Sequence, residues 1–440
     1  MTLVLPDWLL IAADRPAERS WGVRVVDGLI DAVGPHSNLL AAHPDDDVVD
    51  AADKIVLPGF VNAHVHLYGT LAHGIPPAKG AGPDDFWSFL EDYWWPQIED
   101  ALDIPMIVAA TDFVCAEMLR SGVTTFYDIL EAPNALPDAL LAQKEVVERR
   151  GMRGLLSFEA TERAGSEIAR LGLEENLRLI DACQPGGLVS GLMCWHTTFT
   201  CSADYITEAF GLAADRGVMC HAHVNEGVHE GQWAAERLGA RTVEFYAQLG
   251  VAGPGFIASQ CVQLSDRERE LLAELDVKVT HMPLANCEVG GGIAPMPELI
   301  DAGVIVGLGS DGYVNDFYEV MRGAFLLHKA RLQDPGVMPA ETVLHMATEA
   351  GAKALSIDHV GRLEPGWSAD LQVVDADFPT PVTAHNIADQ LVLWRNHSNV
   401  CDVMVAGEWR VRGGEVLNTD LDQLRAHSNE QATRLWEMSR

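Results

Sequence analysis

Two histidines, His64 and His66, lie two residues apart at the end of an apolar run that begins at Val56. Such a run is typical of a buried β-strand, and residues two apart on a strand point to the same face. Two imidazoles that converge at one strand end can hold a single metal ion, with bonds of about 2.0–2.1 Å. The pair therefore indicates metal-assisted hydrolysis, with chance spacing or a structural metal as the alternatives.

A second pair, His221 and His223, ends a later apolar run. Either histidine can supply a third ligand, but His223 is nearer the strand end and Glu226 follows it by three residues. A carboxylate beside the metal can take a proton from the attacking water and deliver it to the leaving group. Glu226 is therefore the candidate general base and acid, with an ordinary loop carboxylate as the alternative.

Asp311 ends a further apolar run and precedes Gly312. An Asp-Gly pair alone favours a turn, but at a strand end the carboxylate can complete a metal shell and accept a proton from water. Three neutral imidazoles and one carboxylate leave a coordination position open. A divalent ion lowers the pKa of water bound there toward about 7.

These residues follow a repeating pattern of elements. Eight β-like runs alternate with helical stretches, which favours a (β/α)8 TIM-like barrel of the α/β class. The runs span residues 60–66, 123–128, 154–159, 189–196, 218–223, 256–262, 277–281 and 304–311. Barrel active sites form at the C-terminal strand ends, where this chain concentrates its ionisable residues.

Both ends of the chain are rich in short strands and tight turns, including an Asp27-Gly28 hairpin signal. We expect residues 1–57 and 366–419 to form one small composite β-sandwich domain beside a metal-dependent barrel over 58–365. Residues 420–440 read as a C-terminal helix.

Composition restricts the partners and the compartment. A net charge of −34 repels nucleic acid and anionic membranes, so we expect neither as a partner. No window approaches the roughly 20 apolar residues of a membrane helix, and the N-terminal residues lack an export signal. The eight cysteines are scattered without a Cys-x-x-Cys pair, which favours a cytoplasmic protein with reduced thiols.

The motifs together resemble the amidohydrolase superfamily, in its branch of atrazine-chlorohydrolase-like and aminopurine-type deaminases. They are Pro-Gly-Phe-Val-Asn-Ala-His-Val-His at 58–66, His223-x-x-Glu226, His-Met-Pro at 281–283 and Gly-Leu-Gly-Ser-Asp-Gly at 307–312. The resemblance implies one catalytic Zn²⁺ or Fe²⁺ held by the residues matching His64, His66, His223 and Asp311. It favours His223 over His221, gives Glu226 the acid/base role, and implies a homodimer or higher homo-oligomer.

The same resemblance suggests residues that bind the substrate. His196 matches a substrate-binding histidine, whereas Gln260 stands where most relatives have a histidine at the end of strand six. Glu159 and Arg163 are expected to face the substrate or to support the residues that do. Glu159 could alternatively bridge a second metal, because no lysine ends strand four.

An aromatic segment at 86–95, which ends in Trp95, follows the first barrel run. It could form a lid that stacks on a flat heterocycle, or a helix that packs its own rings into the core. Trp195 is a weaker candidate for stacking on the substrate.

The sequence therefore predicts an aminohydrolase that releases ammonia from an amino-substituted nitrogen heterocycle, a small-molecule substrate. One alternative is a hydrolase of the same fold acting on a cyclic amide, an N-alkylamine or a chloro-heterocycle. Another is a barrel that has lost catalysis and serves as an interaction module.

Overall fold

The computed structural model describes residues 1–76 and 85–438. The strands in these residues are β1 (Thr2–Leu9), β2 (Glu18–Arg19), β3 (Trp21–Val26), β4 (Leu29–Pro35), β5 (Asp47–Pro58), β6 (Phe60–Val65), β7 (Val123–Leu130), β8 (Arg153–Phe158), β9 (Val189–Gly191), β10 (Met193–Cys194), β11 (Cys220–Val224), β12 (Phe256–Gln260), β13 (Lys278–His281), β14 (Val306–Leu308), β15 (Leu371–Asp375), β16 (Val400–Val405), β17 (Glu408–Arg412) and β18 (Glu415–Val416).

The α-helices are α1 (His36–Ala42), α2 (Phe86–Ser88), α3 (Trp95–Gln97), α4 (Ile104–Arg120), α5 (Ala139–Arg150), α6 (Ser166–Ala182), α7 (Ala203–Arg216), α8 (Val228–Leu238), α9 (Thr242–Leu249), α10 (Asp266–Glu274), α11 (Pro283–Glu288), α12 (Met296–Asp301), α13 (Phe317–Leu332), α14 (Ala340–Met346), α15 (Glu349–Ala354), α16 (Ile387–Trp394) and α17 (Leu421–Met438). A π-helical turn, Phe89–Trp94, joins α2 to α3, and 3-10 turns cover Leu67–Ala72, Glu99–Ala101, Pro133–Ala135 and His397–Asn399.

Two parallel sheets contain the predicted barrel strands, in the orders β6-β7-β8-β9 and β10-β11-β12-β13-β14. The α/β class is therefore confirmed. Strands β9 and β10 belong to one predicted run that is interrupted at Leu192. Hydrogen bonds connect the sheets at both sides: Ala160 and Trp195 form a parallel bridge, and Ser310 donates its N–H to the carbonyl of His64 at 3.0 Å.

Strands from both ends of the chain share a third, nine-stranded sheet. Within it, β5 pairs in parallel with β1 and antiparallel with β15. The Asp27-Gly28 hairpin is confirmed: both residues have positive φ, 49° and 84°, and Val26 pairs with Leu29 across a two-residue turn. Such a turn matches the right-handed twist of the two strands that it joins. Whether this sheet folds as a sandwich stays a prediction.

Helix α17 packs against the elements that follow the first barrel strand, β6. It packs on α4 and on the turn Leu67–Ala72, and the indole Nε1 of Trp436 donates to the carbonyl of Leu71 at 2.8 Å. Within the part of the chain that the structure describes, every helix falls short of the length and apolarity needed to cross a bilayer.

The sequence suggested Trp195 as a weaker candidate for stacking on the substrate. The structure does not place it there. Its ring is fully buried and lies parallel to that of Phe256, with centroids 5.4 Å apart. Its indole N–H donates to Tyr246 at 3.1 Å. Trp195 therefore belongs to the core outside the sheet.

Candidate active site

Three histidines converge at the C-terminal ends of the parallel strands. Ring nitrogens of His64, His66 and His223 all lie within 4.8 Å of one another. The Nε2 atoms of His64 and His66 are 3.3 Å apart, as the two-residue spacing on β6 predicts. All three rings are buried. Burial and the neighbouring imidazoles hold the pKa of His64 well below its usual range, so its ring is neutral.

The outer ring nitrogens of two of these histidines face acceptors. The Nδ1 of His66 lies 2.7 Å from the carbonyl of Ile129, which can only accept, so this nitrogen carries the proton. The Nδ1 of His223 lies 2.8 Å from Oε1 of Glu159. Metal-ligating histidines usually have such partners, which turn the lone pair of the other nitrogen toward the ion.

Asp311 is held against His64 by the backbone that follows β14. The N–H groups of Ser310 and Asp311 both donate to the carbonyl of His64 at 3.0 Å. A side chain at Gly309 would come within 2.8 Å of the Cβ of His64, so this approach requires glycine. The Asp311 carboxylate lies 3.8 Å from Nε2 of His64 and 3.7 Å from Nε2 of His66.

Asn62 fixes the same junction with its side chain. Its amide Nδ2 donates to Oγ of Ser310 at 2.7 Å, and its Oδ1 accepts from the N–H of Ser310 at 3.0 Å. The pair is buried and links β6 to the segment that carries Asp311. Sequence analysis included Asn62 in a motif but gave it no role, because its partner lies 248 residues away.

Glu226 lines a cavity of about 440 Å³ together with His66, His223 and Asp311. It follows Asn225, which has a positive φ of 50°. The side chain of Asn225 donates to Glu268 at 2.7 Å, and its N–H donates to Glu230. Burial and the charge of Asp311 raise the pKa of Glu226 to about 8. A carboxyl group with such a pKa can both accept and donate a proton near neutral pH.

The donor set fits a divalent cation. Three imidazole nitrogens and a carboxylate oxygen are the kinds of ligand that Zn²⁺ takes at catalytic sites with an open position. His221, the other candidate for third ligand, lies deeper: its ring is fully buried and its Nδ1 is 3.3 Å from the thiol of Cys194. The geometry therefore favours His223.

Comparison with known proteins identifies the family. Residues 55–410 match the model of the amidohydrolase family. The chain belongs to the amidohydrolase family.

Its relatives include a 5′-deoxyadenosine deaminase from Methanothermobacter thermautotrophicus, 34% identical over 86% of this chain and 87% of the relative. A 5-methylthioadenosine/S-adenosylhomocysteine deaminase from Pelotomaculum thermopropionicum is 32% identical over 95% of this chain and 94% of its own. Among solved structures, a zinc-bound adenosine deaminase from Xanthomonas campestris is 26% identical, with a TM-score of 0.88 over 99% of this chain and 98% of its own.

The predicted resemblance and enzyme class are thus confirmed. This amidohydrolase is a metal-dependent hydrolase of carbon–nitrogen bonds, of the deaminase type, and it uses a divalent metal. The alternative of an inactive interaction module loses its basis, because three histidines lie together at the strand ends with the Asp311 carboxylate beside two of them.

His196 and Glu159 both line the cavity of this amidohydrolase. The Nδ1 of His196 lies 2.9 Å from Oγ1 of Thr200, and its Nε2 lies 3.6 Å from Glu159. Burial lowers the pKa of His196 to about 3 even though Glu159 is near, so the ring is neutral. Burial would raise the pKa of Glu159, but the charge of His223 outweighs it and keeps the carboxylate ionised.

Gln260 also lines the cavity, but its amide is engaged by protein groups. Its Nε2 donates to Oδ2 of Asp311 at 2.8 Å, and its Oε1 accepts from Nδ2 of Asn286. Because the Asp311 carboxylate can only accept, the amide nitrogen of Gln260 must face it, and its oxygen faces Asn286. In this structure Gln260 therefore orients a carboxylate.

Arg163 and Trp95, two predicted substrate-binding residues, do not lie among the described residues that line the cavity. The guanidinium of Arg163 lies 4.9 Å from the centre of the Trp95 ring and is surrounded by carboxylates. These carboxylates belong to Glu99, Asp100 and Glu131. Sequence analysis could not identify this cluster, because its members come from three separate segments.

The predicted lid segment does contribute to the cavity. Its helical turns place aromatic and apolar side chains on the wall, namely Phe86, Phe89, Leu90, Tyr93 and Trp94. Phe199 faces them from the loop after β10. Residues 77–84, which precede this segment, lie outside the described residues.

Proposed function

We propose that this amidohydrolase removes the exocyclic amino group of an adenine-type ring in a small nucleoside-like molecule. The observation that carries the proposal is the convergence of His64, His66, His223 and Asp311 beneath a cavity that also contains Glu226. The deaminase names of relatives that cover most of the chain support the choice of ring.

We propose Zn²⁺ rather than Fe²⁺ as the metal, with His64, His66, His223 and Asp311 as its ligands. The nitrogen-rich donor set and the zinc in a similar solved structure support this choice. When bound, such an ion activates water as a nucleophile and stabilises negative charge that develops on the substrate.

The protein groups supply proton transfer and orientation. Glu226 takes a proton from the attacking water and passes it to the departing amine, so that ammonia leaves as a neutral molecule. Its pKa of about 8 lets it hold that proton between the two transfers. Asp311 accepts a hydrogen bond from the water, and Gln260 keeps its carboxylate in place.

Substrate contacts come from the cavity wall. His196 is neutral and its ring reaches the cavity, so it can exchange a hydrogen bond with a ring nitrogen or a hydroxyl. Phe89, Tyr93 and Phe199 offer aromatic faces on which a planar purine can stack. Glu159 holds His223 and presents its carboxylate beside His196.

At the level of the fold, we propose that the two parallel sheets form one closed barrel over residues 58–365. Hydrogen bonds from Ala160 to Cys194 and from Ser310 to His64 support closure at both junctions. Residues 1–57 and 366–419 would form the small β-sandwich domain, with residues 420–440 as the C-terminal helix.

We propose a cytoplasmic homodimer or higher homo-oligomer. Free thiols at all eight cysteines suit a reducing compartment. Trp394 on α16 and Leu326 on α13 are 67% and 51% exposed on helices that pack together, and such an apolar surface suits contact between copies.

The test is ammonia release from a panel of adenine nucleosides by the zinc-loaded enzyme, followed by identification of the product. We expect ammonia and the corresponding 6-oxo purine in equal amounts. Release of a halide or alkylamine from other heterocycles, with no deamination of any adenine nucleoside, would contradict the proposal.

A further inference from the structure

We infer that the cavity accepts substrates with an uncharged or cationic substituent and excludes those that carry a phosphate. The inference rests on the proposed deamination of an adenine-type nucleoside and specifies the class of that substrate. It comes from the charges and the apolar surface around the cavity.

The ionisable residues of the described cavity wall are acids, histidines and tyrosines. Its carboxyl groups belong to Glu99, Glu159, Glu226, Glu230, Glu288 and Asp311. Among the described residues, neither a lysine nor an arginine lines the cavity. A substrate anion therefore meets no fixed cationic side chain on this part of the wall.

The inner carboxylates already have partners within the protein. Asp311 accepts from Gln260, Glu159 lies against His223, and Glu230 accepts from the N–H of Asn225 and from Thr198. These acids are committed to the catalytic end of the cavity. The outer part of the wall decides which substituent fits.

Glu288 provides the negative charge at that outer part. It is exposed, lies at the end of α11 and lines the cavity beside Val289. The neighbouring His73 has its Nε2 only 2.7 Å from the carbonyl of Gly312. This carbonyl accepts from the His73 ring, so that ring nitrogen is engaged by the protein, and Glu288 is the acidic group of the outer wall.

The nearest buried arginine cannot serve as an anion site. Arg163 lies behind the wall, where its guanidinium contacts the carboxylates of Glu99, Asp100 and Glu131. Three negative groups around one cation leave no positive charge to attract a substrate phosphate. The guanidinium also lies 4.9 Å from the centre of the Trp95 ring.

The rest of the outer wall is apolar and aromatic, with Phe86, Phe89, Leu90 and Tyr93. An anion placed there would lose water without gaining a partner, which is costly. An uncharged substituent gains from apolar burial, and a cation can also use the aromatic faces. Both effects act in the same direction as Glu288.

The experiment compares kcat/KM for three nucleosides that share the adenine ring. They are 5′-deoxyadenosine, 5′-amino-5′-deoxyadenosine and adenosine 5′-monophosphate, which present a neutral, a cationic and an anionic 5′ group. We expect the monophosphate to react at least 100-fold more slowly than 5′-deoxyadenosine, and the amino compound to react within 10-fold of it.

A charge-reversal variant locates the effect. Glu288→Lys should raise kcat/KM for the monophosphate at least 10-fold and lower that for the amino compound. Glu236→Lys, at an exposed position of α8 outside the cavity wall, is the matched control. It should leave kcat/KM unchanged for both the monophosphate and the amino compound.

Two failures are distinguishable. If the monophosphate reacts as fast as 5′-deoxyadenosine, or if Glu288→Lys leaves kcat/KM for the monophosphate unchanged, the inference is wrong and the proposed deamination stands. If none of the three compounds releases ammonia, the proposed function is wrong and the substrate class falls with it.

Discussion

Glu226 is the only residue of the site to which we assign proton transfer to the leaving group. We predict that Glu226→Gln lowers kcat by about 10²- to 10⁴-fold, the usual contribution of a general acid and base. Zinc content should stay at the wild-type value, because Glu226 is not a proposed ligand. Ammonia release and metal analysis on the same sample measure both quantities.

Glu236→Gln on the exposed surface of α8 is the control for the loss of a carboxylate. It should leave kcat unchanged. A Glu226→Gln enzyme with full activity would remove the proton-transfer role.

The contacts from Asn286 through Gln260 to Asp311 predict that Gln260 is a positioning residue. Gln260→Leu should weaken zinc binding and lower kcat by about 10- to 100-fold, as is typical when a partner of a metal ligand is lost. Asn286→Leu should act in the same direction. Zinc dissociation constants and steady-state kinetics give the measurements.

Combining Gln260→Leu with Asn286→Leu tests the connection, because the effects of substitutions within one hydrogen-bond network do not add. The double variant should be little worse than Gln260→Leu alone. Unchanged zinc affinity with a raised KM would instead make Gln260 a substrate contact.

Much of the site could be predicted from residue types, and its supports could not. His64 and His66 were predicted because their spacing places them on one strand face, and His223 because it lies near its strand end and precedes Glu226 by three residues. Asn62 and Asn286 gave no such signal, because their partners, Ser310 and Gln260, are distant in sequence.

At the scale of elements, Arg163 joins the segment before α4 to the loops after β7 and β8. We predict that Arg163→Ala lowers the free energy of unfolding by about 3–5 kcal/mol, because it leaves Glu99 and Glu131 buried without their cation. Denaturant unfolding of the zinc-loaded enzyme measures the loss.

Arg170→Ala is the matched control, because Arg170 forms an exposed i,i+4 pair with Glu174 on α6. It should change stability by less than about 0.5 kcal/mol. A loss as small for Arg163→Ala would show that the cluster adds little to stability.

Asp128 connects the end of β7 to the turn after β6, accepting from the N–H of Leu67 and from Gln143. Burial raises its pKa from 3.8 to about 7. The folded state then binds the proton more tightly than the unfolded state, so stability falls as pH rises from about 4 to about 7. Asp128→Asn should remove this slope.

Between pH 5 and pH 8 the wild type should lose about 2–3 kcal/mol more than Asp128→Asn. The Oε1 of Gln143 has no partner in the described structure, so the amide can turn to accept from the new asparagine. Unfolding curves at both pH values give the comparison. Parallel pH profiles for the two proteins would contradict the pKa assignment.

The element pattern was largely predictable because apolar runs and helical periodicity alternate so regularly. Each predicted run overlaps a described parallel strand, and β9 and β10 share one run. The π-helical turn over Phe89–Trp94 was not predictable, because apolar periodicity gives no separate signal for a locally widened helix.

For the whole molecule, the sequence predicted that both chain ends are rich in strands but could not give their pairing. Leu371 pairs with Pro58 across more than 300 residues of intervening chain. Only the completed fold brings β5 and β15 together, and their junction lies next to β6, which carries His64. The nine-stranded sheet is therefore directly connected, through β5, to the strand that carries His64.

The central claim is a single divalent ion held by His64, His66, His223 and Asp311. A second group of possible ligands, Glu159, His196 and His223, shares one of these histidines and makes the claim testable. The most direct measurement is a crystal structure of the zinc-loaded enzyme, with anomalous data collected at the zinc edge. We predict one anomalous peak per chain within about 2.0–2.3 Å of those four residues; a peak between Glu159 and His196, or two peaks per chain, would contradict the account.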